Sequence, residues 1–138
     1  MKLKTLVLFG LLLSNFAFAQ VYKLKATDFA YMYKTNYGNW SDWSTWDECS
    51  VLCTVDINKD RITIYSKETQ VYDIIENSDT FYDEDGDLVW NLVGIDNEGI
   101  QCVVRILKKS SGTTQLYVNY SDIRWVYNVY SLDWKLYY

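Results

Sequence analysis

The absence of histidine limits the chemistry that this chain can perform. Ser-His-Asp and Cys-His catalytic sets and histidine zinc sites all need that side chain. Carboxylates, tyrosines and lysines remain for catalysis, and two carboxylates could serve as the pair of a glycoside hydrolase. The acidic residues of this chain, however, are concentrated in stretches typical of turns, and no pattern marks one carboxylate as buried. We therefore expect a protein without catalytic residues, and a carboxylate-dependent glycoside hydrolase is the less favoured interpretation.

Closely spaced aspartates form the candidate metal site. Asp83, Asp85 and Asp87 flank Gly86 in the sequence D-E-D-G-D, and calcium prefers roughly six to eight oxygen ligands. The spacing is not that of an EF-hand loop, because Leu88 stands where that loop needs glycine. Hairpin turns select aspartate and glycine for backbone reasons alone. Calcium is thus the one cofactor that the sequence leaves open, and an ordinary turn is the alternative.

Tryptophan and tyrosine provide the candidate ligand-binding surface. The chain contains 6 Trp and 13 Tyr, more than one small core can hold, so some of these rings must be exposed. Exposed aromatic rings offer rigid contact area for a sugar or a protein partner. The alternative is that the tryptophans close the end of a barrel or pack across a sheet edge. The candidate residues are Trp40, Trp43, Trp46, Trp125, Tyr127 and Trp134.

Residues 40–53, WSDWSTWDECSVLC, resemble the opening signature of thrombospondin type 1 repeats. The matching positions are Trp40, Trp43, Trp46, Cys49, Ser50 and Cys53. The resemblance implies a ladder of tryptophans and arginines joined by cation–π contacts, and six cysteines in three disulfides. It is confined to these fourteen residues. Elsewhere the chain has one further cysteine, lacks an Arg-x-Arg pair, and contains longer apolar strands than the family's thin ribbon needs.

The N-terminal residues have the pattern of a cleaved export signal. Lys2 and Lys4 precede a short apolar run at 6–13, and Ala17-Phe18-Ala19 is a typical cleavage site before Gln20. The run is shorter than the roughly 20 residues that span a bilayer. We predict that residues 1–19 are a signal peptide, that 20–138 form one domain, and that the protein is secreted or periplasmic. A membrane anchor is the alternative.

Export places the cysteines in an oxidising compartment, where an odd number is unusual. Cys53 and Cys102 both fall on apolar faces of predicted strands, so a Cys53–Cys102 disulfide is the favoured pairing. A Cys49–Cys102 disulfide is one alternative, and three buried reduced thiols are the other.

Apolar residues alternate with polar ones through most of the mature chain, which is the period of a half-buried strand. β-branched and aromatic residues dominate these segments, and turn residues recur about every 8–14 positions, as in a meander. Strands are predicted at 24–34, 51–57, 61–65, 70–75, 88–95, 100–107, 114–120 and 123–130. The fold class is therefore all-β, a single antiparallel meander of about eight strands, forming a small lipocalin-like β-barrel or a β-sandwich.

The mature chain is acidic. Removal of Lys2 and Lys4 leaves 11 basic and 18 acidic residues, a formal charge of −7, which argues against nucleic acid and anionic membrane as partners. We predict a non-enzymatic binding module that takes a glycan on its aromatic surface or a small apolar ligand in the barrel mouth. The alternative is a protein-interaction module, such as an exported inhibitor, an immunity-type protein or an envelope component.

Overall fold

The computed structural model describes residues 21–133, so the predicted signal peptide and the candidate residue Trp134 lie outside the described residues. Nine strands form one sheet: β1 Val21–Tyr33, β2 Asp47–Asp56, β3 Arg61–Ile64, β4 Gln70–Asn77, β5 Phe81–Tyr82, β6 Leu88–Ile95, β7 Gln101–Lys108, β8 Thr114–Asn119 and β9 Ile123–Ser131. No helix within 21–133 is long and apolar enough to cross a membrane.

The strands form a closed barrel. Each strand pairs antiparallel with a neighbour in the order β4-β3-β2-β1-β9-β8-β7-β6-β5, and pairing of β4 with β6 closes the circle. Eight strands make up the wall, while the two-residue β5 extends the sheet beside β6. The predicted all-β meander with about eight strands is confirmed, and the barrel replaces the sandwich alternative.

Inward positions follow the alternation of the sequence. On β2, Val51, Cys53 and Val55 are buried while the residues between them are half-buried. Ile62 and Ile64 of β3 continue the same interior. An eight-stranded barrel is just wide enough for such side chains to fill it. The core of the domain is therefore the lumen of the barrel.

A bulge on β1 changes which residues face inward. Against β9 the register shifts between Ala26 and Asp28, so that β1 has one extra residue there, and the register with β2 is interrupted at the same place. Leu24 and Ala26 point into the barrel before the bulge, and Phe29 does so after it. Ala30 is consequently turned to the outer face, where it is nonetheless buried. Ala30 lies next to Trp43, Ser44 and Trp46 of the segment that covers it, residues 40–46.

The structure corrects the predicted Cys53–Cys102 disulfide, because Cys49, Cys53 and Cys102 are all free. Cys53 lies on β2 and Cys102 on β7, four strand positions apart in either direction around the barrel. Eight strands about 4.8 Å apart give a diameter of about 12 Å, whereas a disulfide needs Cα atoms within roughly 7 Å. The two thiols lie on opposite walls, and the alternative Cys49–Cys102 pair fails for the same reason.

These buried thiols are expected to be unreactive in the folded protein. Burial raises the pKa of Cys53 to about 12 and that of Cys102 to about 11, and only the thiolate reacts with alkylating agents. Iodoacetamide at about pH 8 should leave both unmodified until the protein is denatured, when mass spectrometry should count three modified cysteines. Recovery of disulfide-linked peptides from unreduced, denatured protein would contradict this arrangement.

Candidate ligand-binding sites

An apolar cup opens at one end of the barrel. Its volume is about 360 Å³, and it is lined by Tyr22, Leu24, Val55, Thr80, Leu88, Trp90, Ile106, Lys108, Thr114 and Ser131. Leu24 and Val55, both buried, lie deepest toward the barrel core. Tyr22, Trp90 and Ile106 are only partly buried and pack against that core. The cup thus continues the barrel lumen as an accessible surface of side chains, chiefly apolar.

The aromatic wall of the cup is held in place by two contacts. The ring of Tyr22 meets the ring of Trp90 edge to face, with centroids 6.0 Å apart. The indole Nε1 of Trp90 donates a hydrogen bond of 2.8 Å to Oδ1 of Asn77 on the neighbouring β4. A preformed wall loses little conformational entropy when a ligand binds.

Polar groups stand among these apolar side chains. Thr80, Lys108, Thr114 and Ser131 add hydroxyl groups and one ammonium group to the lining. Next to them, the end of β9 is tied to β1, since the N–H of Lys23 donates to Oδ2 of Asp133 at 2.9 Å. The cup therefore offers apolar side chains for a hydrocarbon body and polar side chains for a head group.

The opposite end of the barrel has a polar cavity of about 490 Å³, whose lining includes hydrogen-bonded side chains. The Tyr72 hydroxyl donates to Oε1 of Gln70 at 2.7 Å, and Nε2 of Gln70 donates to the Tyr127 hydroxyl at 3.2 Å. Tyr120 donates to Oδ2 of Asp96 at 2.8 Å. Burial raises the pKa of Tyr72, Tyr120 and Tyr127, which keeps their hydroxyls protonated as donors. The two ends of the barrel therefore differ: one is polar, and the end with the cup is apolar.

The three tryptophans of residues 40–46 lie on the outside of the barrel, on a segment that follows the edge of β1. Ser41 makes two hydrogen bonds with the backbone of Tyr33: its N–H donates to the Tyr33 carbonyl at 2.8 Å, and its Oγ accepts from the Tyr33 N–H. Ser44 makes the same two hydrogen bonds with Tyr31. Serines three residues apart in this segment therefore bond to tyrosines two residues apart on β1. The W-S-x-W-S-x-W pattern is therefore a means of attachment to the barrel.

The six predicted aromatic residues do not form one surface. Tyr127 is buried inside the barrel, whereas Trp125 is half-buried, stacks on Tyr120 at 5.5 Å and lines the cavity at the polar end of the barrel. Trp43 and Trp46 are exposed on the outside. Trp40 is half-buried beneath Arg124, whose Cζ lies 4.1 Å from the ring centroid.

The acidic turn brings its three aspartates together. The carboxylate oxygens of Asp83, Asp85 and Asp87 lie within 4.8 Å of one another. Oδ1 of Asp83 already accepts the N–H groups of Asp85 and Asp87 at 3.0 and 2.9 Å, and Oδ1 of Asp87 accepts that of Ser110 at 2.9 Å. The carboxylates are thus partly used in building the turn and in joining it to the β7–β8 turn.

Another turn shows the same construction without a neighbouring acidic cluster. Oδ1 of Asp96 accepts the N–H groups of Glu98 and Ile100, both at 2.9 Å. The N–H of Ile100 and the hydroxyl of Tyr120 lower the pKa of this carboxyl. Gly99 completes the turn with a φ of 80°, in the left-handed region that glycine adopts without strain. The repeated geometry explains the aspartates at 83 and 96 as turn-forming residues.

An outer cleft of about 440 Å³ lies between the acidic turn at residues 83–87 and the tryptophan segment. Its lining is Trp43, Asp83, Asp85, Asp87, Arg105, Leu107, Lys109, Tyr117, Asn119 and Arg124. The residues from β7, β8 and β9 are outward-facing cross-strand neighbours, since Arg105 pairs with Tyr117 and Asn119 with Arg124. Trp43 meets Tyr117 edge to face at 6.2 Å.

Sequence reasoning missed the arginines of the cleft and most of the cup. A single arginine within an alternating strand is usually solvated, and only the pairing of β7, β8 and β9 brings Arg105 and Arg124 to the same face. The cup left a faint signal, because Leu88 and Ile106 occupy inward positions near strand ends.

No protein-family model, curated protein or solved structure matches this chain. The interpretation of the two sites therefore depends on their geometry and chemistry.

Proposed function

We propose that the protein is a non-enzymatic binding module that holds a small amphipathic molecule, with a single hydrocarbon chain and a polar head, in the apolar cup. The observation that carries the proposal is the composition of the cup, where apolar side chains predominate and Leu24 and Val55 continue into the buried core. Its volume of about 360 Å³ falls in the range of small-ligand pockets. Barrels of about eight strands are wide enough to hold one such ligand.

The polar side chains of the lining indicate which chemical groups the ligand should carry. Hydroxyl groups of Thr114 and Ser131 and the ammonium group of Lys108 can satisfy one polar head, while the hydrocarbon chain displaces water from Tyr22, Trp90 and Ile106. Burying roughly 300 Å² of ligand surface at about 25 cal/mol per Å² gives about 7.5 kcal/mol before the cost of association. This apolar contribution alone gives a dissociation constant no lower than about 3 µM, and the cost of association raises that value.

Fluorescence titration with dansylaminoundecanoic acid tests the proposal. Trp90 lines the cup, so bound probe should accept excitation energy from it, and decanoic acid and 1-decanol should both displace the probe. Glucose and cellobiose serve as controls because they lack a hydrocarbon chain. Absence of energy transfer up to the solubility limit of the probe, or displacement by the sugars alone, would refute the proposed ligand class.

A further inference from the structure

We propose that the outer cleft is a second, separate binding site, and that its ligand is a neutral saccharide. The cleft is on the outer face of the barrel and shares no lining residue with the apolar cup. A ligand in the cleft would contact an aromatic ring, two guanidinium groups and three carboxylates. The inference stands on this combination and does not depend on the function proposed for the cup.

The aromatic side of the cleft is Trp43. Its side chain is 42% exposed although its backbone segment is attached to β1 through Ser41 and Ser44. The contact with Tyr117, at an interplanar angle of 66°, supports the ring along one edge. An indole that is both exposed and fixed can stack against the C–H face of a sugar at small entropic cost.

The strand side of the cleft contains polar atoms without partners. Nε of Arg105, Nε of Arg124 and Oδ1 of Asn119 are buried and make no hydrogen bond within the described residues. Buried polar atoms in native proteins are nearly always paired, so each exception needs an explanation. Stacking of Arg124 over Trp40 fixes that guanidinium next to the cleft. Both arginines line the cleft, so a hydroxyl-rich ligand would supply acceptors to the parts of their guanidinium groups that face it.

Charge balance favours a neutral ligand. Asp83, Asp85 and Asp87 contribute three negative charges to the lining, and Arg105, Arg124 and Lys109 contribute three positive ones. No carboxylate among residues 21–133 lies within the 4.0 Å ion-pair distance of Arg105 or Arg124. The opposite charges are therefore kept apart on two walls of the cleft. Sugar hydroxyls both donate to carboxylates and accept from guanidinium groups, whereas a polyanion would be repelled by the acidic turn.

Calorimetric titration of the full chain with four tetrasaccharides tests the inference. The probes are cellotetraose, maltotetraose, chitotetraose and the acidic tetragalacturonate, in buffer containing EDTA. We expect at least one neutral probe to bind and tetragalacturonate to bind no better than that probe. Replacement of Trp43 by alanine should weaken binding about two- to tenfold, since an aromatic contact contributes about 0.5–1.5 kcal/mol.

Trp46→Ala is the matched control. Trp46 lies on the same segment and is 48% exposed, close to the value for Trp43, but it does not line the cleft. Arg105→Leu removes the guanidinium while retaining an apolar stem and should also reduce affinity, and circular dichroism of each variant checks the fold. Each of four results would overturn the inference: no heat of binding with any neutral probe, tighter binding of tetragalacturonate, equal effects of Trp43→Ala and Trp46→Ala, or binding only with added calcium.

Discussion

Replacement of Ile106 by arginine is expected to weaken binding of 1-decanol about a hundredfold or more. Ile106 faces the apolar cup on β7 and packs against the core beside Trp90. The longer, charged side chain would occupy the cup and keep water there, because a guanidinium group is costly to desolvate. Loss of about 100 Å² of buried apolar ligand surface corresponds to about 2.5 kcal/mol, which is close to a hundredfold in affinity.

The neutral alcohol is the informative ligand because its affinity cannot be restored by an ion pair with the new arginine. Ile75→Arg is the matched control, since it makes the same chemical change at an isoleucine that is 55% exposed and does not line the cup. It should leave the affinity within about twofold, as expected for surface substitutions. Equal losses in the two variants would show that the alcohol binds elsewhere.

Replacement of Leu92 by alanine is expected to lower the free energy of unfolding by about 2–5 kcal/mol. Leu92 is fully buried on β6, opposite Asn77 of β4 on one side and Val104 of β7 on the other. It thus lies at the seam where β4 and β6 close the barrel. The removed methyl groups leave a cavity in a lumen that neighbouring strands cannot collapse to fill without breaking their hydrogen bonds.

Chemical denaturation measures this loss, and Leu132→Ala provides the comparison. Leu132 is 43% exposed just after β9, so its truncation should cost about 0.5 kcal/mol or less. The difference between the two leucines is a test of the closed barrel, because an open sheet would leave Leu92 at an exposed edge. Similar costs for Leu92→Ala and Leu132→Ala would therefore contradict the β4–β6 pairing.

The strands were predictable because their signal is local. Alternation at Val51, Cys53 and Val55 reports a half-buried pleated segment wherever the strand lies in the sheet. The D-N-E-G stretch that ends at Gly99 is likewise a local turn signal, since the turn needs a left-handed residue. Residues close in sequence determine these features, so no knowledge of distant partners is needed.

The positions of the aromatic residues were less predictable. The segment of Trp125 and Tyr127 is as rich in aromatic residues as that of Trp43 and Trp46. Tyr127 is nevertheless buried in the lumen and Trp125 is half-buried against the core, whereas Trp43 and Trp46 are exposed. The spacing of the tryptophans at 40, 43 and 46 follows from the serines between them, which bond to β1. Sequence periodicity cannot show this attachment, because it depends on an edge of β1 that β2 leaves free.

The sequence by itself determined an all-β meander with turns at defined positions, because strand period and turn chemistry depend on neighbouring residues. Only the tertiary structure decided that the meander closes, and closure decided the rest. It placed Cys53 and Cys102 on opposite walls, opened an apolar cup at one end of the lumen, and aligned Arg105 with Arg124 on the outer face. These relations join residues far apart in the chain through the number and register of the strands between them.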